Sequence, residues 1–252
     1  MDELKAAVLA TALAMNASGI NRGSAGNVSA RDPGKENGFI ITPTGMAYAD
    51  CAPDDMVRLR SDGESSVGAD KTTASKTTAL QDGRTKDVLL VVADDDTLSP
   101  NTARALQRQP SSEWRFHRDI YADHPGAGAI VHTHSPFATA LACQQLSIPA
   151  FHYMVARFGG ADVRCADYAT FGTQELSDAI LRALIDRCGC LMAHHGMVVY
   201  GHDLKHALAL AIELETLAEQ YWRVLQLGVP KLLSEEEMAR VLEKFARYGQ
   251  SA

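Results

Sequence analysis

Ala129-Ile130-Val131-His132-Thr133-His134-Ser135 is the stretch that most decides the fold. Its apolar start predicts a buried strand over residues 127–133, and Pro136 marks where a strand of this kind must stop. Side chains two apart on a strand point to the same face, so the two imidazoles of this stretch can reach one metal ion. By itself, the pair fits a metal site and two unrelated polar residues at a strand end equally well.

A third histidine, His195, follows an apolar segment and precedes Gly196, which permits close approach of the backbone. Three histidines without a fourth protein ligand are typical of catalytic zinc, because structural zinc sites are closed by four protein ligands. Iron and manganese stay open on ligand type alone. Surface exposure or core packing is the prediction for five other histidines: His117, His124, His152, His202 and His206.

Three further segments combine small polar side chains with glycine or with a helix start: 23–27, 42–45 and 110–113. Each alone indicates an ordinary turn or helix cap. The free N–H groups and serine hydroxyls at the start of a helix also favour an anion, so together the segments could surround a phosphate. They are not a Walker-type loop, because the Gly-Lys-[Ser/Thr] ending is missing.

The rest of the pattern predicts a mixed α/β layered domain, since helices and strands alternate without a regular βαβ rhythm. A stretch poor in large apolar residues, 61–109, predicts a mobile loop with one strand at 88–92. The expected helices cover 3–18, 111–122, 136–143, 175–187, 204–227 and a last one capped by Ser234. The expected strands cover 27–31, 38–42, 56–59, 127–133, 190–193 and 197–200, with 151–156 extended.

Composition narrows the class of protein. The chain has 252 residues, 46% apolar content and a formal net charge of -7, which argues against a general nucleic-acid or membrane-surface binder. No apolar run is long enough to span a membrane, and acidic residues at the N-terminus argue against a signal peptide. A cytoplasmic protein with reduced thiols is the expectation for the five scattered cysteines: Cys51, Cys143, Cys165, Cys188 and Cys190.

Taken in order, these motifs resemble the class II aldolase/adducin head family, most of all its L-fuculose 1-phosphate branch. The likeness covers 1–252 as a single domain, except for a probable insertion at about 62–109. It implies a three-layer α/β/α sandwich with a central, largely antiparallel mixed sheet, and a homotetramer with active sites at subunit interfaces. The motifs that carry it are Gly23–Ser29, Ile41–Gly45, Pro110–Glu113, His132–His134, Ile148–Met154, Tyr168–Thr173, His195–Gly196 and Leu242–Gly249.

The resemblance also implies a role for each residue of the site. One zinc ion per subunit would be held by His132, His134 and His195, with Glu113 as the acid/base. Tyr153 would reach in from a neighbouring subunit to serve the aldehyde oxygen. The phosphate would be bound by Ser24, Asn27, Thr44, Gly45, Ser111 and Ser112, and the C-terminal closure over the substrate would involve Phe245 and Tyr248.

The implied reaction is reversible cleavage of a ketose 1-phosphate, such as L-fuculose 1-phosphate, into dihydroxyacetone phosphate and a small aldehyde such as lactaldehyde. Other sugar-phosphate enzymes of the family remain alternatives: a 4-epimerase, a decarboxylase or a dehydratase. Epimerases usually have aspartate where Glu113 stands, which favours an aldolase. A non-catalytic adducin-like interaction domain is a weaker alternative, because such domains lose zinc-binding histidines. A structural zinc site would be favoured by a fourth protein ligand.

Overall fold

The computed structural model describes residues 2–34, 38–60, 78–81, 88–91 and 108–247. Its helices are α1 Glu3–Ala17, α2 Trp114–Asp123, α3 Pro136–Cys143, α4 Gln174–Ala183, α5 Leu204–Leu227 and α6 Glu235–Arg247. Its strands are β1 Asn27–Asp32, β2 Gly38–Ile41, β3 Val57–Arg60, β4 Thr78–Gln81, β5 Val88–Val91, β6 Ala129–Thr133, β7 Cys165–Ala166, β8 Gly189–Met192 and β9 Gly196–Gly201.

The described strands form one nine-stranded sheet in the order β4-β5-β3-β2-β1-β6-β9-β8-β7. Every pair of neighbours is antiparallel except β7 and β8. The predicted largely antiparallel mixed sheet is therefore confirmed. Strand β6 lies in the interior of the sheet, between β1 and β9, so the first histidine motif starts from a strand that is paired on both sides.

Helices cover both faces of this sheet, as a three-layer sandwich requires. On one face α1, α3 and α5 pack against residues such as Val28, Val131 and Val199. On the other face α2 and α4 pack against Ile41, Ile130 and Val198. Neighbours in sequence therefore enter opposite cores, as the alternation of side chains along a strand demands. His132 lies two residues after Ile130, which places its ring on the α2 face.

Most predicted elements are confirmed, and two of them, α3 and α5, match the prediction to the residue. The prediction of an extended segment at 151–156 is wrong, because Tyr153–Phe158 forms a 3-10 helix. The His152 side chain accepts a hydrogen bond from the Met154 N–H and starts this helix, and Gly159 ends it at a φ of 92°. Such local capping has no apolar periodicity for sequence reading to detect.

Two helix bounds also differ from the predictions. The helix predicted over 111–122 begins only at Trp114, and the helix predicted over 175–187 ends at Ala183. Of the predicted insertion at about 62–109, the structure describes β4, β5 and residues 108–109, so its role stays a prediction. Among the described residues, no helix is long and apolar enough to cross a membrane.

Candidate metal centre and active site

Four side chains converge at one point beside the end of β6. His132 and His134 bring their Nε2 atoms to 3.0 Å from each other. The Glu113 carboxylate lies 3.1 Å from His132 Nε2 and 3.0 Å from His195 Nε2. Taking one nitrogen or oxygen from each residue, all four atoms lie within 4.8 Å of one another. The predicted meeting of the three histidines is present in the structure, with Glu113 among them.

Two glycines allow the backbone to bring these side chains together. A Cβ atom on Gly196 would lie 2.3 Å from the Thr133 carbonyl oxygen, and a Cβ on Gly26 would lie 2.3 Å from that of His132. Both distances are far below van der Waals contact, so only glycine lets the segments on either side of β6 approach the histidine motif this closely. The predicted close approach at Gly196 is confirmed.

The hydrogen bonds of His132 fix which of its atoms can bind a cation. Its Nδ1 lies 2.9 Å from the Met197 carbonyl oxygen, which can only accept, so Nδ1 carries the proton. In the neutral ring, Nε2 then turns a lone pair towards the Glu113 carboxylate. Glu113 Oε1 is buried and faces His195 Nε2 at 3.0 Å. Lone pairs and a carboxylate meeting at one point fit a divalent metal ion.

Electrostatics favour the metal-binding forms of Glu113 and His134. Burial disfavours the charged form of Glu113, but His132 and His195 outweigh this effect and hold the pKa of its carboxyl well below the usual range. Burial, reinforced by the same two histidines, lowers the pKa of His134 to about 4. At neutral pH the group therefore offers an ionised carboxylate beside a neutral His134 imidazole.

The cluster is open on one side. His134 and His195 face a cavity of about 280 Å³, whose wall also includes Tyr168 and Phe171. Glu113 is a fourth potential ligand, which the prediction of three histidines and no fourth ligand did not include. A closed structural site would leave no such cavity, so the open wall still favours a metal ion that meets a substrate.

The three segments predicted to surround a phosphate lie side by side next to this cluster. The Ser111 N–H donates to the Thr42 carbonyl, and the Thr44 N–H donates to the Gln109 carbonyl, both at 3.0 Å. Thr42 in turn bonds Val28 of β1 through its backbone N–H and its hydroxyl. These hydrogen bonds at the start of β1 and the end of β2 thus hold 23–27, 42–45 and 110–113 close together.

Within these segments the six predicted phosphate ligands differ in exposure. Ser24, Thr44, Gly45 and Ser112 are exposed and free to meet a ligand, and Ser112 lines the cavity of the cluster. Asn27 and Ser111 are buried, and Asn27 Nδ2 donates to both Ser111 Oγ and Glu113 Oε2 at 3.0 Å. The structure gives Asn27 a positioning contact to Glu113, while phosphate binding by the six residues stays a prediction.

The remaining predicted site residues lie elsewhere in the chain. Tyr153 is 50% exposed and stacks on Phe245 of α6, with ring centroids 6.5 Å apart. Both line a second cavity of about 970 Å³. Among the residues that the structure describes, the cavity of the histidine cluster and this second cavity share no lining residue. Tyr153 is therefore not brought to the cluster within one chain, and Tyr248 lies outside the described residues.

One functional feature was missed at the sequence level. His117, predicted to pack in the core or lie at the surface, is fully buried and lies 2.5 Å from Asn27 Oδ1. Its other ring nitrogen lies 2.7 Å from Ser29 Oγ, and this oxygen lies 2.8 Å from the Tyr121 hydroxyl. The spacing of these residues in the sequence could have indicated the contacts. Positions 113, 117 and 121 are four apart, as on one helix face, and positions 27 and 29 share one strand face.

The chain matches the family described as Class II Aldolase and Adducin N-terminal domain over residues 6–222. It is 47% identical over 234 residues to a 5-methylthioribulose-1-phosphate/5-deoxyribulose-1-phosphate aldolase of Rhodospirillum rubrum, covering 93% of this chain and 87% of that protein. It is 37% identical over 249 residues to the L-fuculose phosphate aldolase of Escherichia coli K12, covering 98% of this chain and 96% of that protein.

A solved structure titled L-fuculose 1-phosphate aldolase superposes with a TM-score of 0.78 at 29% identity, covering 98% of this chain and 97% of the other. The chain therefore belongs to the class II aldolase and adducin N-terminal domain family, and these relatives place it among the aldolases of that family.

Proposed function

We propose that this protein is a zinc-dependent aldolase that splits a ketose 1-phosphate between C3 and C4 into dihydroxyacetone phosphate and a short aldehyde. The observation that carries the proposal is the convergence of Glu113 with His132, His134 and His195 at the wall of an open cavity. Three polar segments suited to an anion lie beside the same point. A non-catalytic interaction domain would not require this arrangement.

The three histidines, with Glu113 near them, would hold the metal ion. When bound, the ion would supply Lewis-acid stabilisation of the negative charge that develops on the dihydroxyacetone phosphate half as the bond breaks. Three imidazoles are typical ligands of catalytic zinc, which supports zinc over iron or manganese. The buried Nδ1 contact of His132 to Met197 keeps its ring oriented before the substrate arrives.

Protons must move at two atoms during cleavage, the C4 oxygen and C3. The C4 hydroxyl loses its proton as the C3–C4 bonding electrons pass into the C2–C3 enediolate, and C3 later gains one. Glu113 is the acid/base we assign to C3, because its carboxylate borders the cavity beside the cluster. Tyr153 is assigned to the C4 oxygen. Since Tyr153 lines a different cavity in its own chain, we assign this role to the Tyr153 of a neighbouring copy in a homotetramer.

The aldehyde end of the substrate distinguishes the candidates. Besides polar groups, the cavity wall contains Ala25, Ala169, Tyr168 and Phe171, which suits an apolar end. The relative at 47% identity is named for 5-deoxy and 5-methylthio sugars, whose ends lack the hydroxyl that L-fuculose 1-phosphate carries at C5. We therefore place these ketopentose 1-phosphates first. L-Fuculose 1-phosphate is the second candidate, supported by 37% identity across nearly the whole of both chains.

The test is release of dihydroxyacetone phosphate from a panel of ketose 1-phosphates by zinc-loaded protein, with and without chelator. The panel contains the 5-deoxy and 5-methylthio ketopentoses, ribulose 1-phosphate and L-fuculose 1-phosphate. An apolar wall rejects an added hydroxyl only weakly, so the first two should exceed the others by about 10- to 100-fold in kcat/KM. Preference for L-fuculose 1-phosphate would reverse the ranking. No release from any member, with zinc present, would favour an epimerase, decarboxylase or dehydratase.

A further inference from the structure

Behind Glu113 runs a line of buried polar groups that the proposed reaction does not itself use. It links Glu113 to Asn27, Asn27 to His117, His117 to Ser29, and Ser29 to Tyr121. Every residue in it is at most 5% exposed. Buried polar groups are costly unless each donor meets an acceptor, so the direction of every hydrogen bond in the line can be worked out.

The direction follows first from the carboxylate. Glu113 can only accept hydrogen bonds when ionised, so Asn27 must turn its NH₂ group towards Glu113 Oε2 and Ser111 Oγ. The Asn27 carbonyl oxygen then faces His117 Nε2 at 2.5 Å. Because this oxygen can only accept, the proton of His117 lies on Nε2. The opposite orientation of the amide would set a carbonyl oxygen against the carboxylate.

The second half of the line follows from the burial of His117. Complete burial lowers its pKa to about 3, so the ring is neutral and Nδ1 carries a lone pair. The Ser29 hydroxyl must therefore donate to Nδ1, and the Tyr121 hydroxyl must donate to Ser29 Oγ. All the donors in the line point towards Glu113, and no member could be reversed without setting two acceptors or two protons together.

We propose that His117 is a positioning residue for Glu113. Its Nε2–H fixes the Asn27 amide, and the amide in turn aims the Glu113 carboxylate at the histidine cluster and the substrate cavity. The proposal rests on the proposed function for its effect on turnover, because Glu113 is taken there as the acid/base. Its structural half, the ring tautomer and the amide orientation, is independent of any activity.

The first experiment measures the tautomer of the His117 ring directly. Long-range proton–nitrogen correlation spectra of metal-free protein labelled with ¹⁵N-histidine, assigned with a His117 variant, report the tautomer of each ring. His117 should be neutral with its proton on Nε2 from about pH 5 to pH 8, since its pKa lies far below. A proton on Nδ1, or a charged ring in this range, would overturn the proposal even if the protein proves to be an active aldolase.

The second experiment uses a matched pair of variants. A glutamine side-chain NH₂ can reach the place of histidine Nε2, whereas an asparagine reaches only the place of Nδ1. His117→Asn should therefore lower kcat by about 10- to 100-fold with little change in KM or in zinc content. His117→Gln should restore most of the loss. Equal losses in both variants, or loss of zinc in both, would mean that His117 only fills space. Absence of activity in the unaltered protein would count against the proposed function, while the spectra still decide the tautomer.

Discussion

The histidine cluster and the Tyr153–Phe245 surface are built in opposite ways. The four donor side chains of the cluster come from the end of β6, the turn between β8 and β9, and the residue before α2, and His132 is completely buried. Tyr153 is half exposed, and its ring contact with Phe245 lies on a different cavity. The four donors of the cluster meet within one chain, whereas among the described residues Tyr153 lines a different cavity from the one it is proposed to serve.

The difference separates two requirements of the proposed reaction. Binding the metal ion needs donors fixed to within a few tenths of an ångström, which hydrogen-bonded strands and close-packed glycines provide. Proton transfer at the C4 oxygen needs one hydroxyl in reach only when substrate is present. A half-exposed tyrosine supplied by a second copy could do this. The following substitutions test the histidine cluster first and Tyr153 afterwards.

The largest effect is expected from His134→Ala. His134 Nε2 lies 3.0 Å from His132 Nε2, so its loss removes one of three imidazoles from the metal site. The variant should lose stoichiometric zinc, measured by mass spectrometry of the metal content after dialysis, and with it all measurable turnover. His202→Ala is the matched control, because the His202 side chain is 70% exposed and lies outside the cluster. A full zinc complement in His134→Ala would remove this residue from the ligand set.

Glu113→Gln should have the next largest effect. The amide keeps the shape of the side chain but cannot act as a base, so turnover should fall by about 10³- to 10⁴-fold, the upper part of the range for acid–base catalysis. Because the three histidines remain, zinc should stay bound, with a weaker affinity measurable by competition with a chelator. Unchanged turnover would refute the acid/base role, and complete loss of zinc would make Glu113 an essential ligand instead.

Much of the geometry of the histidine cluster could be predicted from the sequence. Alternation along β6 placed His132 and His134 on one side, and Gly196 indicated the close approach of the segment that carries His195. Both inferences use periodicities that the backbone imposes within a few residues. The layered fold followed from the same patterns, and the resemblance added the sheet type and the role of Glu113.

What the sequence did not show depends on contacts between distant segments. The line from Glu113 through Asn27 to His117 joins β1 to α2, elements separated by more than eighty residues. The 3-10 helix at Tyr153 depends on one side-chain cap rather than on apolar spacing. The place of Tyr153 relative to the cluster depends on assembly, for which a single chain carries no local pattern. Phosphate binding by Ser24, Thr44, Gly45 and Ser112 depends on a ligand and stays a prediction.

The smallest of the three effects, yet the most informative about assembly, is expected from Tyr153→Phe. Removing the hydroxyl should lower turnover by about 10²-fold, the lower end of the range for acid–base catalysis, and leave zinc content unchanged. Tyr153 is half exposed, so stability should hardly change. Tyr168→Phe is the control, because Tyr168 is exposed and lines the cavity of the cluster within the same chain.

Complementation decides whether Tyr153 acts between copies. Glu113→Gln and Tyr153→Phe chains, each nearly inactive alone, would be co-expressed with different affinity tags and the mixed assemblies purified. If Tyr153 serves a neighbouring cluster, some sites in a mixed assembly combine an intact Glu113 from one copy with an intact Tyr153 from another. Turnover should then recover to a sizeable fraction of the unaltered level. If both residues act within one chain, every site keeps one defect and no recovery occurs, and the separation of Tyr153 from the cluster would exclude it from the reaction.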